Sequence, residues 1–148
     1  MGLFDIFRSR SKKEETSKVS ISIEFTEEEI EAINKSLETF RSFAAAKGGE
    51  LCVVPKQLQA MKAQGLFEYA LQLATKSGDT NLSSDEVAVM LDKAIKAQLK
   101  AYGLHDLPLY LFHLACMYEL AGNQGKAEMW FKNFLRFQNE FTRTKWMK

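Results

Sequence analysis

The stretch DLPLYLFHLACMYELAGNQGKAEMWFKNFLRFQ, from Asp106 to Gln138, decides the fold. Leu111, Leu114, Ala115, Tyr118 and Leu120–Ala121 recur near the helical period, so they form an apolar face. Asp106 is the expected N-cap, and Pro108 suits a first helical turn, where its missing N–H costs little. Gly122 is placed to take the left-handed conformation that ends this helix, with Asn123 beside it. A second helix then starts near Gln124, with Ala127, Trp130, Phe131, Phe134 and Leu135 on its buried side. Ala115 and Ala127 lack bulk, so the two backbones can approach while Tyr118 and Phe131 fill the flanks. The stretch predicts a helical hairpin.

The series Leu114-Ala115, Tyr118, Gly122, Ala127 and Phe131 resembles a tetratricopeptide repeat. The match spans residues 106–139, one unit of roughly 34 residues. The resemblance implies antiparallel helix pairs that stack on their neighbours and usually bind protein segments. Two positions depart from the family's pattern. Phe134 stands where a small residue is usual, which implies altered helix packing. Asn139 stands where a proline often closes the unit, so the last helix should continue toward the C-terminus.

In such arrays the first helix of each pair lines the concave face. Carried onto this chain, that face holds Leu109, Phe112, Cys116, Glu119 and Leu120. Members that grip an acidic chain terminus place Lys and Asn there, and this sequence has neither. The resemblance therefore implies a mainly apolar groove suited to an amphipathic helix or apolar peptide. The competing reading is that another helix of the chain, or a second copy, already covers it.

Working back toward the N-terminus, the chain repeats the helical theme. Thr26-Glu27-Glu28-Glu29 reads as a capping box opening a helix to about Ala46, with Ile30, Ile33, Leu37, Phe40 and Phe43–Ala44 on one face. Gly48-Gly49 stops it. Leu51-Cys52-Val53-Val54 is either a short strand pairing with residues 19–25 or the lead-in to a helix at Pro55, and the second is preferred. Gly65 reads as a break or kink before a helix carrying Leu66, Phe67, Ala70, Leu71, Leu73 and Ala74. Ser83 or Ser84 caps the next helix, whose inner face holds Val87, Leu91, Ala94, Ile95 and Leu99. Residues 66–102 thus read as a degenerate, enlarged first repeat, with the helix at 27–46 as front cap, since repeat arrays need capped ends. Val19, Ile21, Ile23 and Phe25 alternate with polar residues, the pattern of a short extended segment. A lone strand is unstable, so this one must pair or lie over the helices.

Residues 1–18 form a basic tail. Its opening, MGLFDIF, is similar to the start of many bacterial proteins, and Leu3, Phe4, Ile6 and Phe7 would share one face of a short helix ahead of Arg8 and Arg10. Two readings stand: a frayed terminus, or a weak interfacial membrane anchor over residues 1–13. Two turns of helix bury too little to hold alone. A myristoylation motif would want Ser or Thr where Ile6 stands.

Composition bounds the rest. The 148 residues are 46% hydrophobic, enough for one domain with a core and too many for disorder. Formal net charge is +1, which argues against a nucleic-acid partner. The charges are uneven, with Arg136, Arg143, Lys145 and Lys148 near one end and Glu27, Glu28, Glu29 and Glu31 in the middle. Charge runs are usually solvated faces. Cys52 and Cys116 match no metal spacing and read as free thiols of a reducing cytoplasm. No apolar run reaches the roughly 18–20 residues of a membrane span, and no secretory signal is expected.

His105-Asp106, His113 and Cys116 are the only residues that invite a catalytic reading. No third polar group is placed to complete a nucleophilic arrangement, and isolated His and Cys on apolar helices are commonly packing residues. No phosphate loop, dinucleotide fingerprint or zinc spacing is present, so no cofactor is expected. The reading is all-α: about six helices, two stacked hairpins over residues 19–148, an N-terminal capping helix and a short extended segment. The expected function is non-catalytic binding of a protein or peptide by a cytoplasmic adaptor, scaffold or chaperone-like module. A homodimer through the apolar face and a membrane-recruited module are carried beside it.

Overall fold

A computed structural model describes residues 23–50 and 54–146, with the side chains of 141–146 excepted. The basic tail, Val19–Ser22, Leu51–Val53 with Cys52, and the side chains of Phe141 and Trp146 lie outside the described residues. Five α-helices follow one another: α1 Glu27–Ala46, α2 Pro55–Lys76, α3 Ser84–Leu104, α4 Pro108–Leu120 and α5 Gln124–Trp146.

Local chemistry sets most helix ends. Thr26 caps α1 with a reciprocal box: the Glu29 N–H donates to Thr26 Oγ1 at 3.2 Å, and the Thr26 N–H donates to Glu29 Oε1 at 2.9 Å. Ser83 Oγ accepts from the Glu86 N–H at 3.2 Å to open α3. Asn123 Oδ1 accepts from the Lys126 N–H at 3.1 Å to open α5. Gly48 and Gly122 carry φ of 80° and 81°, the left-handed region that turns the chain out of α1 and α4. Pro55 stands in the first turn of α2 as expected, after Val54. Asp106 is not the cap of α4. That place falls to Leu107, one residue later, without a side-chain hydrogen bond. Pro108 is the cause, because the residue before a proline is driven into the extended region, and an extended residue before the first turn is the N-cap.

Gly65 does not break a helix. α2 runs through it unbroken, so the expected six helices are five among the described residues. A Cβ on Gly65 would stand 2.9 Å from Ile33 Cα and 3.2 Å from the Ala32 carbonyl oxygen. Glycine is there because α1 and α2 cross backbone to backbone at this point.

Each helix packs on its successor: α1 on α2, α2 on α3, α3 on α4 and α4 on α5. Side chains also join next-but-one helices. Glu28 and Glu29 of α1 reach Lys93 and Lys100 of α3. Phe67 of α2 lies 5.0 Å, ring to ring, from both Tyr110 and His113 of α4. Tyr102 of α3 meets Trp130 of α5 at 6.3 Å. The helices therefore alternate in two rows, with α1, α3 and α5 in one and α2 and α4 in the other. The core between the rows contains Ile33, Leu37, Leu66, Ala70, Ala94, Ala101, Leu114 and Met117. Gln98 is fully buried and donates from Nε2 to the Tyr110 carbonyl at 3.0 Å, tying α3 to the first turn of α4.

The extended segment forms no strand among the described residues. Ile23 and Phe25 are half-buried against the helices instead, Ile23 lying on Gly103 of α3 and Phe25 on the core. Several residues expected inside are open. Phe40 and Phe43 of α1, Leu99 of α3, Leu120–Ala121 of α4, and Phe131 and Leu135 of α5 all face solvent. Their spacing puts them beside buried residues, but no further helix among the described residues covers those edges. α5 does run on past Asn139 to Trp146.

Candidate functional site: an apolar face on the last hairpin

α4 is two-sided in an unusual way. Tyr110, Leu111, Leu114, Ala115, Met117 and Tyr118 are buried on one side. The other side carries Leu109, Phe112, Cys116, Glu119 and Leu120, the residues expected to line the concave face. Leu109 is 50% exposed, Phe112 36% and Leu120 61%; Glu119 is exposed and Cys116 half-buried. All five lie within one broad stripe, because steps of three, four, three and one residues from Leu109 stay on one side of a helix. An isolated helix this apolar all round belongs in a core. Here half of it is left to water.

The stripe continues onto α5. The Phe112 ring lies 5.4 Å from Phe134 and 6.4 Å from Phe131, and Phe131 and Phe134 are 6.0 Å apart. All three separations fall in the roughly 4.5–7 Å range of interacting aromatic rings. Phe134, at the position where a small residue is usual, thus packs at a tilt against Phe112. Ala127 is buried against α4, whereas Trp130 and Phe134 are only half-buried.

Two of the clefts beside the described helices bear on the site. The larger, about 590 Å³, lies between α3 and the α4–α5 turn. Leu91, Ile95, Leu99 and Leu120 line it, with Lys96 and Lys126 among its charged residues. Lys126 Nζ sits 5.5 Å from the Tyr118 ring centre, a cation–π contact. The second, about 410 Å³, has α2 as its floor and is walled by α1 and the start of α4. No single sequence segment announced it, because three separate segments supply its lining.

Burial shifts three titratable groups of α4. Burial lowers the pKa of His113, whose ring lies between Phe67 and Phe112. Burial, with the charge of Glu119, raises that of the Cys116 thiol, so the thiolate is disfavoured. Burial, with the charge of Glu68, raises that of the Tyr110 hydroxyl. The His105 ring lies edge-on to Tyr110 at 6.3 Å. Among the described residues no three His, Cys, Asp or Glu side chains gather as metal ligands. Nor is any described helix long and apolar enough to cross a membrane.

Compared with known proteins, the chain matches no family, no curated protein and no solved structure. The all-helical, sequentially packed fold and the open apolar face are therefore the whole basis for a functional reading.

Proposed function

We propose that the chain is a non-catalytic protein–protein interaction module that binds an amphipathic helix or apolar peptide along α4. The observation that carries this reading is the open stripe of Leu109, Phe112 and Leu120, continued by Phe131 on α5. Contiguous apolar surface of this kind is uncommon on a monomer unless something docks there. A helix laid on the stripe would meet leucine and phenylalanine anchors at helical spacing, the usual grammar of helix-in-groove recognition. The contacts between next-but-one helices support a tetratricopeptide-like stack, with α2–α3 and α4–α5 as hairpins and α1 as the front cap. In that register α4 is the first helix of its pair, the position that lines the concave face.

Full-length protein serves as bait in a lysate of its source cells, beside Phe112→Asp and Leu120→Asp. A partner retained in stoichiometric amount by the parent and lost from both variants supports the reading. Sedimentation of the same proteins separates self-association from capture of another chain. Retention by both variants, with their helical circular dichroism intact, would place the binding elsewhere.

A further inference from the structure

The cleft between α1, α2 and α4 differs from the α4–α5 stripe in position and chemistry. Phe40, Met61, Leu107 and Tyr110 give it apolar walls, and Glu68 and His105 stand among them. Phe43 continues the apolar rim of α1 at 65% exposure. Glu68 supplies the one carboxylate of the lining. Its Oε1 accepts from Gln64 Nε2 at 3.2 Å, and no cation lies at ion-pair distance from it among the described residues. At about 410 Å³ the cleft has the size of a site for a small ligand or a few side chains. It suits an apolar block joined to a positive charge.

The sequence holds such a block. Leu3, Phe4, Ile6 and Phe7 are followed directly by Arg8 and Arg10. The first described residue is Ile23. Its Cδ1 lies 3.3 Å from where a Cβ on Gly103 would stand, and His105 of the cleft wall is two residues further along. From Phe7 to Ile23 the chain advances sixteen residues, which span up to roughly 50 Å when extended. The longest helix is about 35 Å, so reach does not limit access. A tethered segment also presents itself at an effective concentration on the order of millimolar, which favours it over any free competitor of similar chemistry.

We propose that this cleft is the docking site of the chain's own N-terminal segment, Leu3–Arg10, with the phenylalanines against Phe40, Met61 and Leu107 and an arginine facing Glu68. The docking holds whether or not the α4–α5 stripe binds a partner, because neither Phe112 nor Leu120 takes part. It also opposes membrane recruitment, since one apolar block cannot lie in the cleft and in a bilayer at once.

The test uses the full chain, uniformly labelled for NMR. Nuclear Overhauser effects are expected from the Phe4 or Phe7 ring protons to the Met61 methyl. A mixture of labelled and unlabelled chains should show none between copies. Phe4→Asp/Phe7→Asp should abolish them and move the amide signals of Met61, Gln64 and Leu107. Glu68→Lys, at an exposed position, should shift the same amides in the same direction. A synthetic peptide of residues 1–13 added to the Phe4→Asp/Phe7→Asp chain should restore the parent positions, with at least tenfold weaker binding when Glu68→Lys is also present. Cleft signals that ignore both variants overturn the proposal. So do effects seen only between copies, which would make a second chain the occupant. Binding of the parent to anionic phospholipid vesicles with cleft signals unchanged overturns it in favour of the membrane.

Discussion

Glu29 Oε1 stands 2.6 Å from Lys100 Nζ and accepts the Thr26 N–H at 2.9 Å, so one carboxylate oxygen both caps α1 and binds it to α3. The Glu29 side chain is 3% exposed and that of Lys100 24%. Removing the carboxylate loses a cap and strands a half-buried ammonium. Glu29→Ala should therefore cost about 2–3 kcal/mol of stability. Lys100→Met should cost less, and chemical denaturation of both singles and the double should give a coupling of about 1 kcal/mol or more. Additive effects would mean that the cap alone carries the energy.

The crossing at Gly65 gives a second prediction. Gly65→Ala places a methyl 2.9 Å from Ile33 Cα, a backbone atom that cannot swing aside. The loss should be about 1–3 kcal/mol, outweighing the gain of up to about 1 kcal/mol that alanine brings to a helix interior. Gly125, in the first turn of α5, is the control. Its nearest neighbour would be Asn123 Oδ1 at 3.9 Å, so Gly125→Ala should be neutral or slightly stabilising. Denaturation midpoints of the two variants should move in opposite directions.

These two glycines show what the sequence could and could not reveal. Gly48, Gly122, Thr26 and Ser83 act on their own few residues, so their roles were legible from composition and spacing. Gly65 acts on Ile33, 32 positions earlier, and a glycine needed for a crossing reads the same as one that ends a helix. Periodicity likewise told which residues share a face, but not whether a neighbour arrives to cover it. Phe131 and Leu135 were assigned inward, but the inward line of α5 runs through Ala127, Trp130 and Phe134, and those two stand open beside it. The α4 stripe was legible as a line of residues, while the α1–α2–α4 cleft was not. Tertiary packing alone assembles it.

The candidate stripe must be separable from stability for its variants to be informative. Leu120 is mostly in solvent, so Leu120→Asp should change stability by no more than about 0.5 kcal/mol. Phe112 packs on Phe131 and Phe134, and Phe112→Asp should cost about 1–2 kcal/mol. Thermal melts should show this order. Equal and large losses would mean that the stripe is core rather than contact surface.

His113 should leave an acid-side signature. Its folded pKa is lowered from 6.5 by burial, so the unfolded chain takes up the proton first. Above about pH 6.5 both states are neutral and the histidine has no effect. As pH falls below that, stability should decline until the folded pKa is passed. Urea midpoints measured from pH 7.5 to 5 should fall more steeply for the parent than for His113→Leu. Parallel curves would show that the ring titrates alike in both states.

The succession of contacts has a consequence for how the molecule is made. Among the described residues the main contacts join helices one or two elements apart, so contact order is low and folding should be fast. Synthesis at about 5–20 residues per second leaves seconds between helices. α1 and α2 can close on each other before α4 has left the ribosome. The last described helix, α5, then adds to a surface already formed, which makes it the described helix whose amides should exchange with solvent first.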